Sequence, residues 1–140
     1  MPTSPSALLT AIIESSDDAI ISKNLDGTIT SWNRSAERIF GFTAQEAVGK
    51  SILIIIPPDR KGEEEVILTK LRAGERIDHF ETVRQRKDGT LLDISVTISP
   101  IRDDTGEIVG ASKVARNVSA RKRYDAVISR KSEKLKILNE

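Results

Sequence analysis

The chain has 140 residues, 38% hydrophobic and 31% charged, with a formal net charge of +1. That reads as one globular domain with no overall field to attract nucleic acid or a membrane surface. Cysteine is absent, which excludes disulfides, thiolate metal sites and cysteinyl chemistry. No apolar run approaches the roughly 18–20 residues of a membrane span. No basic segment with an apolar core opens the chain, so a cytoplasmic protein is expected.

In chain order, Ser4-Pro5 predicts a helix cap with proline in the first turn. Leu8, Leu9, Ile12 and Ile13 follow as an apolar stripe that Ser15 to Asp18 ends. Ala19 to Ser22 and Thr28 to Trp32 read as two strands joined by the turn Asn24-Leu25-Asp26-Gly27. Asn33 is placed to cap a helical turn from Ser35 to Phe40 that stops at Gly41. Thr43-Ala44-Gln45-Glu46 fits a capping box. The run Ile52 to Ile56, closed by Pro57-Pro58, is too short for its period to classify.

Glu63 to Ala73 predicts a helix with acids at its start and Lys70 and Arg72 near its end, and with Val66, Ile67, Leu68 and Leu71 as its buried side. His79 to Arg86 predicts a strand, turned through Asp88-Gly89 into the strand Leu91 to Ser99. In that second strand Leu92, Ile94, Val96 and Ile98 alternate with Asp93, Ser95, Thr97 and Ser99, the two-residue period of a half-buried strand. A further turn at Arg102 to Gly106 leads to a last strand-like run, Glu107 to Val118. Beyond Ser119 the sequence is mostly charged, and Tyr124, Ile128, Leu135 and Leu138 fall on one heptad seam. The division expected is an N-terminal flanking helix (1–16), a central α+β domain (17–119) and a helical linker (120–140). Helices cover one face of a mainly antiparallel sheet.

The ordered set of motifs resembles a PAS domain. Ala19-Ile20-Ile21, Leu25-Asp26-Gly27-Thr28-Ile29, Trp32 to Phe42 and Glu46-Ala47-Val48-Gly49-Lys50 are similar to its first half. Arg86 to Thr90, Asp104 to Gly110 and Ala115 to Lys122 are similar to its second. The resemblance implies a five-stranded antiparallel sheet, order 2-1-5-4-3, over short helices. It also implies a sensory role in a larger signalling protein, and Gly110 to Arg116 is similar to modules ahead of bacterial histidine kinases. The family ending usually carries Asp and Thr where this chain has Asn117 and Ser119. Both keep a capping oxygen, but the charge that an ion pair to the exit helix would use is gone.

The family's haem-binding members take a histidine from the helix before the third strand; here that helix has none. The single histidine, His79, reads as a surface residue, so haem is disfavoured. The cysteinyl-flavin photochemistry of light-sensing relatives is excluded. A non-covalent flavin, stacked on Trp32, or a small organic ligand stays open, although Trp32 at a strand end reads first as packing. Glu63-Glu64-Glu65 reads as a solvated helix start, since consecutive helical side chains diverge by about 100° and cannot chelate one ion together. No metal site and no catalytic constellation is expected.

Phe40, Ile56, Leu68, Phe80, Ile94, Val96 and Ile98 should converge between helices and sheet. They form either a filled core or a small pocket with polar groups such as Thr82, Arg84, Ser112 or Lys113. Strand parity leaves the direction of Lys113 open; facing inward, it requires an anionic partner. The expected function is a cytoplasmic sensory and dimerisation module, the input domain of a two-component histidine kinase. A ligand or partner event would pass through Arg116, Asn117 and Ser119 to the exit helix. The alternative is a ligand-free interaction scaffold with a filled core. A homodimer is expected along Leu8, Leu9, Ile12, Tyr124, Ile128, Leu135 and Leu138, with a downstream signalling domain as the other partner, and neither nucleic acid nor membrane.

Overall fold

The structure is a computed structural model that describes residues 4–120. A flanking helix α1 (Pro5–Ser15) precedes the hairpin β1 (Ala19–Asn24) and β2 (Ile29–Trp32). Two short helices follow, α2 (Arg34–Phe40) and α3 (Ala44–Ala47), then two 3₁₀ turns (Ile52–Ile55 and Pro58–Arg60) and α4 (Gly62–Arg72). The chain then meanders through β3 (Ile77–Gln85), β4 (Leu91–Arg102) and β5 (Ile108–Asn117). All strand pairs are antiparallel and the order is β2-β1-β5-β4-β3, as expected. The ambiguous run after Gly49 is a 3₁₀ turn, with Ile52 and Ile55 buried.

Alternation decides which sheet face is covered. Ile94, Val96 and Ile98 of β4 turn inward with Ile21 of β1 and Ala111 and Ala115 of β5, and with Phe40, Ile56, Ile67 and Leu71 they form one apolar core. The opposite face is polar: Ser22 of β1 shares hydroxyl hydrogen bonds with Thr30 (2.7 Å) and Ser31 (2.5 Å) of β2. Trp32 is core, not a platform. Its ring packs on Phe40 and Phe42, and its indole N–H donates to the Phe42 carbonyl at 2.9 Å, so the flavin-stacking reading fails on packing. The backbones of β1 and β5 leave no room for a side chain at Gly110, where a Cβ would lie 2.4 Å from the Lys23 carbonyl oxygen.

Asn33 joins three elements. Its Oδ1 accepts from the Ala36 N–H, capping α2, and from the Ile20 N–H of β1, both at 2.9 Å. Its amide nitrogen donates to the carbonyls of Ile13 (2.8 Å) and Asp18 (3.1 Å), at the end of α1 and the entry to β1. With 1% of its surface exposed, none of these bonds can be replaced cheaply by water. Asn33→Ala should therefore cost more than a lost cap alone, at least about 2 kcal/mol. Urea unfolding checks this; a loss under about 0.5 kcal/mol, the range of an ordinary surface change, would show that the hub carries no weight.

Candidate functional site

Beneath α4 the covered face of the sheet carries three cations. Lys23 (β1), Arg84 (β3) and Lys113 (β5) retain 2%, 2% and 5% of their exposure. Each sits at an inward position by strand parity, in step with Ile21 and Ala19, with Thr82, and with Ala111 and Ala115 respectively. Buried ammonium and guanidinium groups need counter-charges, and α4 supplies them. Glu64 bridges Lys23 through Oε1 and Lys113 through Oε2, the latter at 3.3 Å. Glu63 accepts from Arg84 Nη1 and Thr82 Oγ1, both at 2.8 Å, and from Arg60 Nη1 at 3.1 Å. Four cationic groups thus converge on two carboxylates.

The electrostatics follow from burial. Loss of water, then the neighbouring charges of Lys113 and Arg84, bring Lys23 down to about 6. Loss of water, then Arg84, brings Lys113 down to about 7. The two ammonium groups share one counter-charge, the Glu64 carboxylate. Burial alone would push the Glu63 carboxyl up, but hydrogen bonds from Arg84 and Thr82 and the Arg84 charge outweigh it and hold the group below its usual range.

The expected pocket residues divide. Phe40, Ile94, Val96 and Lys113, together with Arg84, line an interior void of about 10 Å³, room for one water at most. Ile56 and Ile98 are fully buried core, and Thr82 is buried against Glu63. Lys113 faces inward and has the anionic partner that this orientation demands. Three readings are corrected. Ser112 lies on the other face, because it is one residue from Lys113 and strand side chains alternate. Leu68 is half-buried at the margin of α4, and Val66 is 58% exposed, because Ile67 and Leu71 take the contact stripe. Phe80 is half-buried and faces an outer cleft between α4 and β3, not the void.

The expectation of a solvated acidic start to α4 is also overturned for Glu63 and Glu64. Helical spacing carried the signal: Glu63, Ile67 and Leu71 recur every four residues, and Glu64 lies three before Ile67. Lys23 was missed, although its two-residue spacing from Ile21 and Ala19 marks it as inward. His79 is exposed, as expected, in a β-bulge with φ of 48°. Among the described residues no group of three or more His, Asp or Glu side chains could hold a metal ion.

At the carboxyl end of β5, Arg116 pairs with Asp18 through Nε (3.2 Å) and Nη2 (3.3 Å), and the Asp18 hydrogen bond and charge raise its pKa. Asn117 Oδ1 accepts from the Ser119 N–H at 3.0 Å, and Ser119 Oγ accepts from the Asp93 N–H of β4 at 3.0 Å. The Asn-Val-Ser ending thus keeps its caps without the charge. On α1, Leu8, Leu9 and Ile12 are 54–59% exposed. Tyr124, Ile128, Leu135 and Leu138 lie outside the described residues. No helix among the described residues is long and apolar enough to cross a membrane.

The sheet order and the helical cover define a small α+β sensory fold, and residues 7–118 match the PAS fold family. The chain belongs to that family. It is 30% identical over 129 residues to the signal transduction histidine-protein kinase AtoS of Escherichia coli (strain K12), covering 92% of this chain and 21% of AtoS. It is 34% identical over 113 residues to two-component system protein A of Emericella nidulans, covering 79% and 16%. The chain therefore spans about a fifth or less of these curated relatives. Among solved structures, the PAS domain of an HTR-like protein from Haloarcula marismortui superposes with a TM-score of 0.68 at 26% identity, covering 80% of this chain and 90% of that one. A PAS domain from Colwellia psychrerythraea gives 0.73 at 24% identity, covering 81% and 96%.

Two outcomes follow from the buried charges. At pH 5, where both lysines carry their charge, Glu64→Ala strands two ammonium groups and should destabilise by about 3–5 kcal/mol, whereas Lys23→Met/Lys113→Met/Glu64→Leu should recover most of that loss; denaturant titration separates the two. The second concerns pH. The unfolded chain holds the lysine protons up to about 10.5 and the folded chain releases them near 6 to 7. The unfolded state therefore binds more protons in between, and stability should rise from about pH 7 towards 10. A melting temperature that climbs between pH 7 and 9.5 in the parent, and climbs less in the triple variant, is the expected result.

Proposed function

We propose that this domain is the sensory and dimerisation input of a cytoplasmic two-component histidine kinase whose catalytic part lies outside residues 1–140. The observation that carries the reading is the 30% identity to a signal transduction histidine-protein kinase across 92% of this chain. Two features support it. The exposed Leu8, Leu9 and Ile12 of α1 suit a second copy of the chain. Arg116–Asp18 and Ser119–Asp93 couple the end of β5 to its neighbours, so a shift in the sheet reaches the residues leading into the linker. Signalling then requires two states of the sheet that a ligand or partner binds unequally. A second reading, a ligand-free interaction scaffold, draws on the filled interior and its void of about 10 Å³.

Residues 1–140 should sediment as a dimer, and Leu9→Asp/Ile12→Asp should halve the mass. When residues 1–140 replace the matching segment of AtoS, Ser119→Ala should change autophosphorylation at least about fivefold, the lower end of ordinary coupling between sites. A chimera indifferent to that substitution would sink the histidine-kinase input reading and leave the scaffold.

A further inference from the structure

We infer that Lys23 is a site of reversible carbamylation by dissolved carbon dioxide, with Glu64 as the acceptor of its proton and with Lys113 and Arg84 as the cations that hold the carbamate. The site stands on its own chemistry; its use as a stimulus rests on the sensory reading above.

The cluster beneath α4 is out of electrical balance. Lys23, Arg84, Lys113 and Arg60 face it from β1, β3, β5 and the 3₁₀ turn before α4, and Glu63 and Glu64 are the carboxylates that pair with them. Arg60 is 38% exposed, so water screens it; the other three cations are buried. The Lys23 and Lys113 amines share Glu64 and also lie close enough to hydrogen bond to one another. An ammonium group has three donors and no acceptor, so that contact forms only when one amine gives up its proton. It acts downward on the pKa of Lys23 and upward on that of Lys113, which makes Lys23 the free amine and Lys113 the donor. A free amine is a nucleophile and an ammonium is not. At pH 7.4 an ordinary lysine is neutral in roughly one molecule in a thousand, whereas Lys23, brought down to about 6, is neutral in most.

In the reaction the Lys23 Nζ lone pair forms an N–C bond to carbon dioxide while one C–O π pair moves onto oxygen. The proton leaves Nζ for the Glu64 carboxylate in contact with it and passes on to water. Amine and carbon dioxide thus give carbamate and one proton, with no change of oxidation state. The product places a negative charge where a cation stood. The void beside Lys113, about 10 Å³, is too small for the added group, so Glu64 has to yield. It has somewhere to go: its side chain is 14% exposed, and it lines an open cleft of about 350 Å³ together with Asp26, Ile52 and Lys61. The carbamate then takes over the Lys113 ammonium, and two buried cations, Lys113 and Arg84, are matched by two anions, the carbamate and Glu63. Helix α4 loses its ties to β1 and β5 while Glu63 keeps it on β3.

The test equilibrates the 140-residue chain with isotope-labelled bicarbonate, which supplies labelled carbon dioxide, then traps carbamates with triethyloxonium and locates them by peptide mass spectrometry. At pH 8 the label should sit on Lys23, with the exposed Lys61, Lys70 and Lys87 carrying at least about a hundredfold less. The α-amino group, partly neutral at that pH, is the positive control for the trap. At pH 5 Lys23 regains its proton, and carbon NMR of the carbamate should show at least about a tenfold fall, although more of the bicarbonate is then carbon dioxide. Lys23→Arg should lose the label and keep the α-amino one. Lys113→Met removes the ammonium that holds the product and should lower the label at least about tenfold, as the loss of one charged hydrogen bond does. The inference is overturned if the parent labels its α-amino group and not Lys23, if Lys23 and the exposed lysines label alike, if Lys113 carries the carbamate instead, or if Lys113→Met labels as fully as the parent. The first three outcomes use the parent protein and stand even where a variant fails to fold. In the AtoS chimera, a labelled Lys23 with autophosphorylation indifferent to bicarbonate supports the site and counts against the sensory reading. Autophosphorylation that answers to Ser119→Ala while Lys23 takes no label overturns the site and leaves that reading in place.

Discussion

The contact on which the architecture turns is the meeting of two neighbouring glutamates with cations drawn from three strands. Lys23, Arg84 and Lys113 lie on the face that must be covered, and an uncompensated charge there would cost several kcal/mol. The cover is weak in apolar terms: α4 has 11 residues, of which Ile67 and Leu71 are buried. Its position is therefore set by charge as much as by hydrophobic contact. Glu64 ties it to β1 and β5, Glu63 to β3. A helix held by two adjacent side chains to opposite parts of a sheet is sensitive to anything that loosens one of them.

That arrangement bears on stability in two opposed ways. A buried ion pair gives little net stability compared with a well-packed apolar substitute, yet it is costly to break from one side. Three cations beneath a short helix are thus an uneconomical way to hold a core, and they tie the seating of that helix to the two carboxylates it carries. The rest of the interior does not share this property. Its void of about 10 Å³ leaves the packed residues Phe40, Ile94 and Val96 to act as a stiff plate on which α4 rests.

The far end of the sheet is built from local hydrogen bonds. Asn33 fastens α1, β1 and α2 at one buried point, and Asp18, next to that hub, reaches Arg116 on β5. Ser119 returns to Asp93 of β4. The chain's entry and its departure towards the linker therefore meet on adjacent strands, so a change in sheet curvature would be felt by both flanks together. The Asn and Ser of this ending hold the end of β5 through hydrogen bonds without a charged side chain.

Much of this was legible from the order of residues. The two-residue alternation of Leu92 to Ile98, the Asp-Gly turns, the Asn33 cap and the Thr43–Glu46 box each specify a local conformation through chemistry within a few residues, and each appears in the structure. The motif order was enough for the family and its strand order. The direction of Lys113, the inward turn of Glu63 and Glu64, the exposure of Val66 and the bulge that brings Ile77 beside Phe80 were settled only by tertiary structure. Periodicity says which side chains share a face, but not which face is covered, nor whether a charge can afford to lie there. That is decided by a partner from a distant part of the chain, as Glu64 meets Lys113 across 49 residues.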